Sequence, residues 1–125
     1  MKFIHLLSKE ARIKLLHILL VKRGKKELAE ELGISPASIT KYLSGRMHPS
    51  DNTLKKMIKI MDSQERSRAY KVMLEDLSTG LEELLNVIEE HIYEIDENSK
   101  NEIMYMINNL INRCRDLLKA LPNVK

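Results

Sequence analysis

Apolar side chains recur every three or four positions along the first part of the chain, the spacing that gives a helix one buried face. Ser8 precedes the first such run and can cap a helix over about residues 9–22. A second, shorter run predicts a helix over about residues 25–32. Gly33 follows it directly, at the place where a left-handed residue ends many helices.

Two more helices are predicted between residues 35 and 62. Ser35 is a good N-cap, and Pro36 fits the first helical position, where a missing N–H does no harm; this helix ends at Gly45. After a loop, Ser50 or Asp51 opens another helix with a regular apolar face. Its inner positions are Leu54, Met57, Ile58 and Met61.

The second part of the chain carries three capping-box patterns, in which a cap side chain and a glutamate three positions later satisfy each other's backbone N–H groups. The pairs are Asp62 with Glu65, Thr79 with Glu82, and Ser99 with Glu102. They predict helices over about residues 63–77, 80–95 and 100–120. A single helix over 63–95 is the alternative, because the apolar spacing runs through Ser78-Thr79-Gly80 without a shift in register.

The apolar residues of these last helices follow the alternating three- and four-residue steps of a coiled coil. The first series is Leu74, Leu77, Leu81, Leu84, Ile88, His91 and Ile95, and the second is Ile103, Ile107, Leu110, Cys114, Leu117 and Leu121. A short polar linker makes the two helices an αα-hairpin. Further apolar residues beside each series give this hairpin one broad apolar side.

Pairing of two hairpins into a dimeric four-helix bundle would bury this side, at about 1.5–3 kcal/mol for each Leu or Ile. Packing of the hairpin onto residues 1–60 of its own chain is the alternative. The predicted dimer interface comprises Leu81, Leu84, Leu85, Ile88, His91, Ile92, Ile95, Ile103, Ile107, Leu110, Cys114 and Leu117. His91 is interpreted there as a polar residue that sets the register or lies partly exposed at the interface.

Composition agrees with an all-α fold, since glycine, proline and aromatic residues are scarce and Leu, Ile, Lys and Glu are abundant. The net charge of +3 conceals a division along the chain. Residues 1–60 hold 13 Lys and Arg against 5 Asp and Glu, whereas residues 61–125 hold 8 against 13. A basic first half predicts contact with a polyanion such as nucleic acid, and chance clustering on a solvated surface is the alternative.

Other classes of function find little support in the sequence. The single cysteine, Cys114, predicts a buried, reduced thiol and a cytoplasmic protein. No apolar run reaches the length of a membrane span or continues as a signal peptide. The four histidines are scattered, and phosphate loops and catalytic motifs are missing, so the sequence predicts no metal, no cofactor and no enzymatic activity.

Residues 27–45, ELAEELGISPASITKYLSG, hold two short helices on either side of one glycine. Helices joined so tightly cross closely only where a small residue lies, and Ala29 stands four positions before Gly33. With Ile39 turned inward, the second helix has a small, polar outer face. Its outward and flanking residues are Ala37, Ser38, Thr40, Lys41 and Ser44. A helix that enters the major groove of DNA needs such a face.

The stretch KKELAEELGISPASITKYLSG resembles the helix-turn-helix of the lambda-repressor-like, or XRE, family of DNA-binding domains, including the small residue, the turn glycine and the closing glycine. The following RMHPSDNTLKKMIKIM is similar to that family's basic loop and fourth helix. The resemblance covers about residues 10–77 and is closest over 25–61. It implies a bundle of four or five helices that inserts the third into the major groove.

Carried over by position, the resemblance implies two sets of DNA contacts. The residues that would face bases are Ser35, Ala37, Ser38 and Lys41. The residues that would meet phosphates are Lys25, Lys26, Thr40, Ser44, Arg46 and His48, of which Lys25 would lie close to the backbone or an outer base.

The sequence therefore predicts an all-α protein with a helix-turn-helix domain over residues 1–77 and a dimerisation hairpin over 78–125. The predicted function is a sequence-specific transcriptional regulator whose partners are double-stranded DNA and a second copy of itself. A protein-interaction adaptor, or a DNA-binding accessory protein of plasmid maintenance or recombination, are the alternatives.

Overall fold

The computed structural model describes residues 1–124, which are helical almost throughout. The α-helices of this part are α1 (Lys2–Leu6), α2 (Lys9–Leu20), α3 (Lys25–Leu32), α4 (Pro36–Leu43), α5 (Asp51–Ile60), α6 (Ser63–Glu90) and α7 (Glu97–Ala120). Two short 3-10 helices follow the long ones, at Ile92–Glu94 and Leu121–Asn123. Within the described residues, no helix combines the length and the apolar character that crossing a bilayer requires.

The chain divides into two compact units, Met1–Leu84 and Leu85–Lys125, so the boundary falls inside α6. Every buried residue among those that the structure describes lies in the first unit. Its buried apolar residues are Ile4, Leu7, Ala11, Leu15, Leu16, Leu19, Leu28, Ala29, Leu32, Ile39, Tyr42, Leu54, Met57, Met61, Ala69 and Met73. Burial of such side chains, at about 1.5–3 kcal/mol for each large one, is the main force that holds the first unit together.

The predicted N-caps of the first unit are confirmed. The side chains of Ser8, Ser35 and Ser50 each accept a hydrogen bond from the backbone N–H three residues later. Asp62 and Glu65 form the predicted capping box, in which Glu65 N–H donates to Asp62 Oδ1 at 2.8 Å and Asp62 N–H donates to Glu65 Oε1 at 3.1 Å. These short-range bonds fix where the helices begin.

Helix α1 was not predicted. It is only five residues long and carries Ile4, which is fully buried in the core, while α1 as a whole packs against α5. So short a segment has too few residues to show a helical period, which explains why the sequence pattern missed it.

The predicted break between residues 77 and 80 is wrong, because α6 runs without interruption from Ser63 to Glu90. The Thr79 hydroxyl donates to the carbonyl of Glu75 at 3.0 Å, as it does inside a helix, instead of capping a new one. Gly80 lies inside α6, and the space where a Cβ would stand is open. The single-helix alternative was therefore nearer the structure, although α6 ends five residues before Ile95.

The Ser99–Glu102 capping box is also wrong. Asp96 caps α7 instead, and its carboxylate accepts bonds from the backbone N–H and the hydroxyl of Ser99 at 2.8 and 2.9 Å. Helix α7 thus begins three residues earlier than predicted, at Glu97. His91 and Ile95 flank the 3-10 turn between the helices and do not continue the heptad series on α6.

No side chain of residues 85–124 is buried within the single chain. Apolar residues of α7 that the heptad pattern placed at an interface are exposed, among them Leu110 and Leu117. Cys114 is exposed as well, so the prediction of a buried thiol is wrong for the isolated chain.

Candidate nucleic-acid interface

Helices α3 and α4 form the tight helix-turn-helix that the sequence predicted. Gly33 adopts a left-handed conformation, with φ of 67°, which a residue with a Cβ resists. The N–H of Ile34 donates to the carbonyl of Ala29 at 3.0 Å and that of Gly33 to the carbonyl of Glu30 at 3.2 Å, which is the Schellman arrangement. Ala29 is buried at the crossing, where its small side chain lets the two helices approach closely.

Helix α4 has one buried and one exposed side. Ile39 and Tyr42 are buried and fix the helix to the core. Ala37 and Lys41 are exposed on the other side, where no large apolar group covers them. The outer face of α4 is therefore small enough to approach the edges of base pairs.

The structure brings the four predicted base-reading residues together on this exposed face. Ser35 and Ser38 hydrogen-bond to each other through their hydroxyls at 3.0 Å, and the Ser35 oxygen also accepts from the N–H of Ser38. Each hydroxyl is thus engaged by the N-cap. Among the residues described, Lys41 makes neither an ion pair nor a side-chain hydrogen bond, so its ammonium is the strongest available donor of the four.

The predicted phosphate-binding residues are all exposed and lie on both sides of that face. Lys25 and Lys26 open α3, whereas Arg46 and His48 lie in the loop after α4. The N–H of Arg46 donates to the carbonyl of Lys41 at 3.1 Å across the left-handed Gly45, so the loop turns back against the end of α4.

Two hydroxyls in the predicted phosphate-binding set are used inside the helix. The Thr40 hydroxyl donates to the carbonyl of Pro36 at 3.3 Å, and that of Ser44 donates to the carbonyl of Lys41 at 2.9 Å. The face also has negative neighbours, since α3 carries Glu27 and Glu30 on its surface. Positive charge is thus concentrated at the start of α3 and around the end of α4.

The sequence analysis missed Arg12, which supports the loop that carries Arg46 and His48. Its side chain is only 5% exposed. The guanidinium donates to the carbonyls of Leu7 at 3.0 Å, Ile4 at 2.9 Å and Pro49 at 2.9 Å. One side chain therefore links α1, α2 and the end of the loop. The signal in the sequence is a lone charge on the otherwise apolar face of α2.

Arg12 also pairs with Asp51, the first residue of α5, at 2.8 Å. His5 Nδ1 lies 2.9 Å from the other oxygen of the same carboxylate. The hydrogen bond from His5, and then that from Arg12, hold the pKa of Asp51 below its usual value. Asp51 thus stays ionised next to the loop. Within residues 1–124, no group of three His, Cys, Asp or Glu side chains is arranged to hold a metal ion.

A second ionic cluster holds the start of the helix-turn-helix against α6. Arg23 donates to Glu65 Oε2 at 2.6 Å and also bonds Glu31 of α3 at 3.2 Å. Burial alone would raise the pKa of Glu65, but the hydrogen bonds from Arg23 and from Asp62 N–H more than offset it and lower that pKa overall. The hydrogen bond that Arg23 donates to Glu65 in turn raises the pKa of Arg23.

Lys56 of α5 supports the turn itself. Its Nζ lies 3.5 Å from the carbonyl of Leu32 and 3.9 Å from the place where a Cβ on Gly33 would stand. A cation at the C-terminal end of α3 is favourable there, because the last carbonyls of a helix carry partial negative charge. The turn is thus held from both the core and α5.

Comparison with known families gives a direct result for this part of the chain. Residues 16–66 match the family model described as helix-turn-helix, which spans α3, α4 and α5 and parts of α2 and α6. Neither curated proteins nor solved structures give a significant match. Families of this kind are typically non-enzymatic. Residues 16–66 are therefore a helix-turn-helix DNA-binding domain of the lambda-repressor-like, or XRE, type.

Proposed function

We propose that the protein is a sequence-specific transcriptional regulator that binds double-stranded DNA as a homodimer. The observation that carries the proposal is the exposed outer face of α4, small and polar at Ala37 and Lys41, within a helix-turn-helix domain. Helix α4 enters the major groove, and the cations at the start of α3 and in the loop after α4 hold the phosphates on either side.

Base recognition rests on few side chains. Lys41 reaches the O6 and N7 atoms of a guanine, and Ala37 contacts the methyl group of a thymine. Ser35 and Ser38 already bond to each other, so they contribute less to discrimination between bases. Affinity therefore depends mainly on Lys25, Lys26 and other phosphate contacts and on DNA shape, and falls steeply as salt rises.

The homodimer is proposed from the apolar surface of the second part of the chain. Leu84, Leu110 and Leu117 each expose about half of their area in the single chain (54%, 48% and 57%). A soluble chain rarely leaves so long a series of apolar side chains in water, and a second copy offers the same series. The interface uses residues between 81 and 117, with His91, Ile92 and Ile95 contributing from the turn after α6 and not from a continued helix.

Symmetry connects the dimer to DNA. Two copies related by a two-fold axis present two α4 helices, which bind half-sites about 34 Å apart or a multiple of that distance. The acidic second half of the chain carries 13 Asp and Glu against 8 Lys and Arg, so repulsion keeps it away from the phosphates.

Enrichment of bound sequences from a random DNA pool tests this function. The expected result is a palindromic consensus, whereas a lack of enrichment even at low salt would refute the regulator. Light scattering on the eluting protein tests the dimer separately. A monomer that pairs only with a different protein would instead support the adaptor, which the same exposed apolar surface also permits.

A further inference from the structure

A second positively charged surface lies apart from the outer face of α4. It is a groove lined by Met1, Lys55, Ile58, Lys59, Arg66 and Tyr70, here called the cationic groove. Three of these side chains are positively charged and none is acidic. The groove lies within the first unit, between α1, α5 and the start of α6.

The cationic groove combines charge with an apolar floor. Ile58 is half-buried in it, and Tyr70 leaves 55% of its surface exposed. The guanidinium of Arg66 donates to the carbonyl of Lys59 at 3.4 Å, so the charge is held in place by the start of α6 against the end of α5. Phosphate groups alone would leave this apolar floor uncovered. The chemistry is that of a site for an acidic peptide with apolar or aromatic side chains.

The chain itself contains such a peptide at the end of α6. Residues 89–97, here called the acidic turn, include Glu89, Glu90, Glu94, Asp96 and Glu97 and have no Lys or Arg. Among the acids stands Tyr93, which lies outside the proposed homodimer interface and is 100% exposed. The turn is ordered as a 3-10 helix over Ile92–Glu94 and stabilised by the Asp96 cap of α7.

Two glutamates of the acidic turn are unfavourable for the helix that carries them. Glu89 and Glu90 end α6, where the helix carries partial negative charge and where basic residues are preferred. The last turn of α6 has no basic residue to offset them. A second molecule that supplies positive charge would relieve this repulsion. The same molecule could also cover the exposed Tyr93 ring.

We propose that the cationic groove of one copy binds the acidic turn of a second copy of this chain. Lys55, Lys59 and Arg66 pair with Glu89, Glu90 and Glu94, while Tyr93 packs against Tyr70 and Ile58. Asp96 and Glu97 already bind Ser99 and Lys100 of their own chain, and Glu94 lies 3.3 Å from His91 Nδ1. This contact joins two different surfaces, so it is heterologous and adds copies beyond the pair that the apolar face forms. It depends neither on DNA nor on the reading of bases by α4.

Exchange of charge between two variants of the whole chain tests the contact. The groove variant carries Lys55→Glu and Lys59→Glu, and the turn variant carries Glu89→Lys and Glu94→Lys. These four side chains are exposed. Sedimentation velocity at about 0.05 M salt, where surface charges interact strongly, measures association of each variant alone and of their equimolar mixture.

The wild-type chain is expected to form species larger than a dimer at low salt and to lose them at about 0.5 M salt. Each variant alone is expected to associate about tenfold more weakly, and the mixture is expected to recover most of that loss because each groove then meets a turn of opposite charge. The matched control, Lys9→Glu with Lys14→Glu on α2, makes the same change in net charge and is expected to associate like wild type.

Two results would overturn the proposal. One is a mixture that associates no better than the separate variants, or a control that weakens association as much as the groove variant, because either would show only a general effect of net charge. The other is unchanged association of the groove variant together with a lower salt dependence of its DNA affinity. That outcome would assign Lys55 and Lys59 to flanking phosphates instead.

Discussion

Removal of the Arg12 side chain tests how the loop after α4 is held in place. Arg12→Met keeps most of the volume of the side chain but deletes the donors to the carbonyls of Ile4, Leu7 and Pro49, all within 3.0 Å. These acceptors then lie in a region from which water is largely excluded, since Arg12 itself is 5% exposed. Each buried acceptor left without a partner costs about 1–3 kcal/mol, whereas the carbonyl of Ile4 keeps the hydrogen bond from the Leu7 N–H at 3.2 Å.

The expected loss is smaller than the sum of three such terms. Methionine removes the cost of burying a charge, and the pair with Asp51 contributes little because the Asp51 side chain is 41% exposed. We therefore expect Arg12→Met to lower the free energy of unfolding by about 3–5 kcal/mol, which is a large share of the roughly 5–15 kcal/mol typical of a domain. Arg12→Lys should recover less than half, because an ammonium cannot reach three separate carbonyls.

Urea denaturation followed by far-ultraviolet circular dichroism measures these changes. With an m value of about 1–1.5 kcal/mol per molar urea, the midpoint of Arg12→Met should fall by roughly 2–5 M. Arg113→Met is the control, because Arg113 is exposed on α7. Free energies of unfolding for Arg12→Met and Arg113→Met that agree within about 0.5 kcal/mol would refute the role assigned to the buried guanidinium.

The remaining predictions concern stability at low pH, the stability of two glycine variants and the preference for particular DNA bases. Because the pKa of Glu65 is lowered in the folded chain, its contribution to stability is present above the usual pKa of 4.5 and is lost as pH falls through the lower folded pKa. Glu65→Gln should therefore cost about 3 kcal/mol at neutral pH and flatten the acid side of the profile of stability against pH. An unchanged slope on the acid side would contradict this. Gly33→Ala should destabilise the chain by about 1–2 kcal/mol because its φ is positive, whereas Gly80→Ala should stabilise α6 by up to about 1 kcal/mol. A higher urea midpoint for Gly33→Ala, or a lower one for Gly80→Ala, would be inconsistent with the backbone conformations. Lys41→Ala should relax the preference at one base of each half-site in a binding-site selection, and an unchanged preference would mean that Lys41 contacts only phosphate.

The parts of the fold that the sequence predicted are those set by neighbouring residues. The caps at Ser8, Ser35 and Ser50 and the left-handed Gly33 depend on bonds within a few positions, so their residue types alone indicate them. The exposed face of α4 followed from the same short-range pattern, since burial of Ile39 fixes which residues point outward.

The parts that were missed or wrong depend on competition or on distant residues. Thr79 and Gly80 look like a helix start, but a glycine inside a helix costs only about 1 kcal/mol, and the Thr79 hydroxyl bonds within α6. Asp96 displaced Ser99 as a cap because its carboxylate accepts from both donors of Ser99 and its charge suits the N-terminus of α7. The network of Arg12 joins segments 37 residues apart, which no local pattern can show.

Placement of α4 in the major groove by two copies of the chain is the central claim, and site-directed DNA cleavage tests it most directly. A cleavage reagent attached to cysteine at position 37, in an Ala37→Cys and Cys114→Ser chain, is bound to a DNA site obtained by selection. Leu74→Cys on α6, with the same Cys114→Ser change, serves as the control because Leu74 is exposed outside the helix-turn-helix. We predict two clusters of cuts in the major groove, about 34 Å apart or a multiple of that distance, and few cuts from position 74. A single cluster, or cutting from position 37 no stronger than from position 74, would contradict the account.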